Sequence, residues 1–288
     1  MIWLLLSIAC SSLIFVVFRL FGHWGVDNLP AIVVNYGVAA GLGFALTANE
    51  APLPYMLQQP WKWSILILGF IFIALFQVMA GISQRMGVSA VSVAVKMSLA
   101  IPVIFGIWYF NESAPPLKLI GIGLALVAVY LATAPRQKVK LPGREFFWLI
   151  VLFTGSGFID AFLNYNQKVL IATEDQLLFT SFLFAAAGIF GVIILVVKGY
   201  FRLKMRWGLI LFSGLLLGIP NLGSIYFLIK ALHQPDLESS LLFPVNHVGI
   251  VLLSTLLGTT LFAERLSILN KAGLALAVVA IILMTAWK

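Results

Sequence analysis

The chain has 288 residues, of which 62% are hydrophobic and only 10% charged, with a mean hydropathy of +1.08 and a formal net charge of +8. An average soluble domain carries about 25% charged residues. Eighteen basic and ten acidic side chains cannot cover a water-facing surface of this size, so lipid is the expected outer solvent, and soluble enzymes and nucleic-acid-binding domains are excluded.

Ten apolar stretches, each near the 20 residues that span a bilayer, are predicted as helices at 2–21, 29–48, 64–84, 87–110, 116–134, 146–167, 175–197, 207–231, 237–262 and 268–287. The runs are continuous rather than alternating, which favours all-α spans over a barrel. The first begins at Ile2 without a basic flank and is too long for a cleaved signal, so it reads as the first span. It holds Cys10, the single cysteine, which has no partner for a disulfide and reads as a packing residue.

The second stretch carries Asn35 and Tyr36 before Ala39 and Gly43, and the third carries Gln77 between Ala74 and Gly81. Amides among small residues suit packing seams with one interhelical hydrogen bond, and Asn35 and Gln77 are second-tier cavity candidates. In the fourth stretch Lys96 shares a face with Ser92 and Ser89. A lone cation at membrane depth fits a carboxylate or phosphate ligand, an ion pair with Asp160, or snorkelling. In the sixth, Gly157, Asp160, Asn164 and Gln167 fall on one helical face. Asp160 is the leading proton-coupling candidate; its bland alternative is an Asp neutralised by Lys96 or capped by Asn164.

The eighth stretch has Pro220 and Asn221, and the ninth Pro244, Asn246 and His247. Proline frees backbone carbonyls, and histidine is the side chain suited to proton exchange at physiological pH, so Asn221, Asn246 and His247 join the substrate-binding candidates, His247 also as a coupling candidate. Trp61, Trp63, Trp108, Trp148 and Trp207 fall at helix ends, as an interfacial belt would. Ser156 with His247 can be drawn as a serine–histidine dyad of an intramembrane enzyme, but no nucleophile elbow, zinc motif or nucleotide-binding loop accompanies them, so no enzyme, cofactor or metal is expected.

An internal repeat accompanies this pattern. Sliding the chain by 152 residues aligns 110–134 with 262–286 at 11 of 25 positions, placing Phe110 and Glu112 on Phe262 and Glu264 and Gly121 on Gly273. An offset of 145 sets Trp3, Ser11 and Ile14 on Trp148, Ser156 and Ile159, and Phe15 on Asp160. The expected domains are therefore residues 1–134 and 146–288, joined by a basic loop at 135–145. Five helices per half invert the second half, which places a site near the midplane. Glu112 and Glu264, beside Lys118 and Arg265, read as anchors of the helix ends. Lys and Arg number 12 in the breaks on one side and 5 on the other, which puts both termini outside the cytoplasm in an inner (plasma) membrane.

The segment from Val91 to Ala134, with Pro102, Glu112 and Gly121, and its partner from Phe243 and Pro244 through Gly258 and Glu264 to Gly273, resemble the ends of EamA domains. The whole chain resembles the drug/metabolite transporter superfamily, EamA-like branch. That resemblance implies alternating access around a central cavity and export of small metabolites such as amino acids. The expected function is a secondary transporter of amino-acid-like or other carboxylated amphipathic solutes, acting as a monomer or homodimer with no nucleic-acid partner. The alternatives are the Ser156/His247 enzyme and an organic-cation exporter of the same fold.

Overall fold

A computed structural model describes residues 1–47, 52–86, 88–133, 143–200, 205–235, 238–263 and 266–285, with side chains at 80, 81, 83–86, 88–92 and 145 excepted. The described residues are all-helical: α1 (Ile2–Trp24), α2 (Asn28–Ala45), α3 (Pro52–Gln58), α4 (Lys62–Met86), α5 (Val88–Met97), α6 (Ala100–Tyr109), α7 (Pro116–Thr133), α8 (Gly143–Tyr165), α9 (Gln176–Val197), α10 (Trp207–Leu232), α11 (Ser239–Phe262) and α12 (Ile268–Thr285). Among them nine helices are long and apolar enough to cross a bilayer, the architecture of a multi-pass membrane protein. Their outer faces expose large apolar side chains such as Ile104, Trp63 and Ile189, as a lipid-facing surface requires.

The fourth predicted span is interrupted. Pro102 has no N–H to give to the Ser98 carbonyl, which instead accepts from Ile101 N at 2.9 Å. Ser98 Oγ turns back onto Val95 O at 2.6 Å, and the chain tightens between α5 and α6. Pro220 and Pro244, by contrast, lie inside continuous helices. The short α3 and a π-helical turn at Asn166–Leu170 were not expected from the apolar pattern. Residue 134 and residues 135–142 of the basic loop lie outside the described residues, as do Glu264 and Arg265.

Two ends of the bundle can be told apart by their polar ties. At the end holding the N-terminus, the Met1 ammonium donates to Gln234 Oε1 at 3.3 Å and Tyr55 donates to Asp175 Oδ2 at 3.2 Å. At the opposite end Arg206 Nη2 donates to the Trp24 carbonyl at 2.9 Å, and Asn270 Nδ2 donates to Leu131 O and Ala132 O.

Packing runs α1 on α10 and α11, α2 on α9 and α10, α4 on α8 and α9, α8 on α5 and α6, and α6 on α11. The closest seam joins α7 to α12. A Cβ on Gly121 would stand 2.6 Å from Met284 and 3.3 Å from Ala280 O; one on Gly273 would stand 2.3 Å from Ala132 N and 2.8 Å from Ala128 O. With no hydrophobic force between lipid-bathed helices, such small-residue approach supplies the van der Waals contact that holds them. Gly214 and Gly218 do the same for α10, against Val34 and Val38 of α2.

Candidate functional site

The break after α5 leaves Lys96 in that helix's last turn, almost fully buried. Its Nζ lies 5.0 Å from the centre of the Phe15 ring on α1, and among the described residues it has no hydrogen-bond acceptor. The quadrupole of an aromatic face accepts a cation but leaves its N–H groups open. Asp160 on α8 is within coulombic reach of that ammonium, yet its bond is to another helix: His247 Nε2 donates to Asp160 Oδ2 at 3.1 Å. Of the alternatives for Lys96, the ion pair with Asp160 is not formed: Asp160 pairs with His247, and Lys96 lies over a ring. The buried Nδ1 of His247 has no partner among the described residues.

Beside these charges lies a cavity of about 160 Å³ lined by Tyr36, Phe72, Phe76, Val95, Ser156 and Ile159, among others. Val95 and Ile159 of this largely apolar lining are the chain neighbours of Lys96 and Asp160, whose own side chains are not part of it. Ser156 lies in this lining and is not hydrogen-bonded to His247, whose Nε2 faces Asp160.

The other predicted site residues separate. Asn221 Nδ2 donates to Asn35 Oδ1 at 3.1 Å, closing a bond between α10 and α2 at the glycine seam. Gln77 Oε1 accepts from Lys198 Nζ at 2.8 Å, at the end of the bundle away from Met1. Asn246 is buried with Oδ1 unpartnered. Asn164 does not cap Asp160: it is fully buried, and neither amide atom has a partner among the described residues. The side chain of Ser92 lies outside the described residues.

A second polar assembly closes the Met1 end. Glu112, in the loop after α6, accepts from Lys168 Nζ at 2.6 Å, from Ser240 N at 2.7 Å and from Ser239 through its N at 2.9 Å and its hydroxyl. A carboxylate at the first turn of α11 satisfies donors that helix geometry leaves free and meets the positive end of the helix dipole. Burial on its own raises this carboxyl, but the bonds from Lys168, Ser239 and Ser240 more than reverse that and hold it at about 2. Glu238, just before α11, returns the gesture: it accepts from Ser113 N at 3.1 Å, from Ser113 Oγ at 2.7 Å and from the fully buried Lys118. Against the burial that raises it, these partners hold Glu238 below the usual carboxylate range. The expected Glu112–Lys118 pairing is corrected here, because Lys118 belongs to Glu238. Trp61 is corrected too: it is fully buried, edge-on to Phe179, whereas Trp63 and Trp108 are exposed.

Beneath this lock opens a cavity of about 560 Å³ lined by Gln167, Lys168, His233, Gln234 and Glu238, among others. Sequence reasoning singled out none of Phe15, Lys168, His233, Glu238, Ser239 and Ser240 as site residues. The acidic residue and paired serines ahead of an apolar run were the one legible signal, a helix start.

No family model matches the chain. It is 27% identical over 285 residues to an uncharacterized protein of Haemophilus influenzae, covering 96% of this chain and 95% of that one. A solved crystal structure superimposes with a TM-score of 0.79 at 15% identity, over 99% of this chain and 96% of the other. At that identity the likeness extends to the fold.

Proposed function

We propose that the chain is a secondary transporter that exports small carboxylated amphipathic metabolites by alternating access, built as two inverted five-helix repeats of the EamA-like drug/metabolite transporter type. One observation carries the reading: an apolar helical bundle buries Lys96 and His247 and half-buries Asp160, on three different helices, next in the chain to Val95 and Ile159 of an aromatic-walled cavity. Ionisable groups at such depth are costly and go with substrate or proton handling. Lys96, whose N–H groups no acceptor takes among the described residues, is suited to an anionic group, and Asp160 with His247 to a coupling proton.

The repeat is supported by the α7–α12 seam. Gly121 approaches Ala280 and Met284, and Gly273 approaches Ala128 and Ala132. Under the 152-residue offset these two sets exchange, as a two-fold axis between antiparallel helices requires. The charged centre repeats only in approximate position, under two different offsets and without matching residue types. Phe15 corresponds to Asp160 under the offset of 145, and Lys96 corresponds under 152 to Val248, the neighbour of His247. Each half then contributes one cross-helix pair, Lys96 over Phe15 and His247 on Asp160.

The test is ligand-induced thermal stabilisation of the purified protein across amino acids, other carboxylates and organic cations, for wild type and Lys96→Ala. A ligand that binds the folded state raises its apparent stability. Carboxylates are expected to stabilise wild type and not the variant. Stabilisation by cations alone, or an unchanged response in Lys96→Ala, sinks the anion assignment.

A further inference from the structure

The stripe that carries Asp160 runs from α8 into the π-helical turn at Asn166–Leu170, where Gln167 reaches the 560 Å³ cavity. Asp160, Asn164 and Gln167 share one face, and from the first to the last the helix rises roughly 10 Å. Asn164 is fully buried and Gln167 is buried, and among the described residues both amide atoms of Asn164 and Oε1 of Gln167 have no partner. The lower end of the stripe meets His247, and the upper end meets His233, whose Nδ1 accepts from Gln167 Nε2 at 2.8 Å while Nε2 donates to Thr173. Gln167 and His233 both line the cavity. On the other side of Asp160 the stripe is shut, because a Cβ on Gly157 would stand 2.4 Å from Ile101.

We propose that this stripe is a hydrated, one-sided proton path from the cavity at the Met1 end to Asp160, with Asn164 as the group that holds its water. Buried amides go unpartnered only at a steep cost, and water in a polar, roomy site meets it. The amide carries no proton itself. A hydronium in the cavity hands its proton along water bound to Asn164, the Asp160 carboxylate becomes a carboxylic acid, and a water molecule remains; release runs in reverse. Among the described residues, the charged and titratable groups that act on Asp160 are His247 from α11 and Lys96 from α5. This inference rests on reading Asp160 as the coupling acid.

The test uses the full-length protein with Cys10 replaced by Ala, single cysteines at 163, 164 and 167, and silver ion, a thiol reagent near the size of water. Leu163 is buried in an apolar cluster off the stripe and serves as control. Gln167→Cys and Asn164→Cys are expected to react, and Leu163→Cys to be protected. Protection of Asn164→Cys equal to that of Leu163→Cys overturns the path. If Asn164→Cys does not fold, the infrared band of the protonated Asp160 carboxyl, assigned by its loss in Asp160→Asn, decides in wild-type protein. Exchange of that band as soon as D2O is mixed in supports the path, and a band that stays protected overturns it. Neither readout requires a transported ligand, so failure of the transport reading in the stabilisation screen remains a separate result.

Discussion

Glu112 keeps its charge at the edge of an apolar bundle because Lys168 and the first residues of α11 are all turned on it. Its carboxyl titrates at about 2 in the folded protein against an ordinary 4.5. The stabilisation it provides is therefore complete above about pH 4.5 and fades as pH falls toward 2. Glu112→Gln is expected to lower Tm by a constant amount from neutral pH down to about 4.5, and the gap from wild type to narrow below that; a gap that widens on acidification contradicts the assignment. A neutral example lies at Asn35 and Asn221. Interhelical hydrogen bonds within a membrane average about 0.6 kcal/mol in double-mutant cycles. The cycle of Asn35→Ala and Asn221→Ala is expected to return a coupling of about that size, measured by unfolding in mixed detergent, and a coupling of zero denies the bond an energetic role.

At the scale of elements, the α7–α12 seam ranks three glycines. At Gly273 the added Cβ meets backbone, which cannot turn aside, so Gly273→Ala should cost about 1–3 kcal/mol as overpacked cores do. At Gly121 the nearest atom is the flexible Met284 side chain, and the loss should be smaller. At Gly123 nothing stands within 4 Å, and alanine should stabilise α7 by about 0.5–1 kcal/mol through helix propensity. Thermal unfolding of the three variants checks the order, and equal effects would remove the seam from the argument. Helices of this kind are legible in a sequence because lipid demands a continuous apolar run: nine of the predicted stretches each overlap one long apolar helix among the described residues, and the fourth is divided between α5 and α6. The break before Pro102 was not legible, since Pro220 and Pro244 sit in unbroken helices and the difference lies in what the freed carbonyl finds nearby. Asp160 and His247 were visible as ionisable groups in apolar runs. Their bond was not, because it joins residues 87 positions apart, and nearness in the chain pointed instead to Glu112 with Lys118. Trp61 likewise faces the core for a tertiary reason, its edge contact with Phe179.

For the whole molecule, direction is the property that links the charge pattern to the proposed path. Loop-borne Lys and Arg favour the cytoplasm, and their 12-to-5 excess in the sequence falls on the breaks at the end away from Met1. The Met1 end, with the Glu112 and Glu238 lock and the 560 Å³ cavity, is then predicted to face outward. A proton path opening there would protonate Asp160 from the side on which an energised inner membrane holds protons at the higher potential, and that polarity drives export rather than uptake. Two measurements check the chain of reasoning. Alkaline phosphatase fused at the C-terminus is expected to be active and a green fluorescent fusion dark, because α12 ends at the Met1 end, where Met284 packs on Gly121. In proteoliposomes of that orientation, loaded with a carboxylate found to stabilise the protein, an inward proton gradient is expected to speed efflux, and Asp160→Asn to lose the acceleration while keeping binding. A bright C-terminal fluorescent fusion would place the path on the cytoplasmic side and turn the prediction from export to uptake, leaving the Asp160–His247 pair as it is.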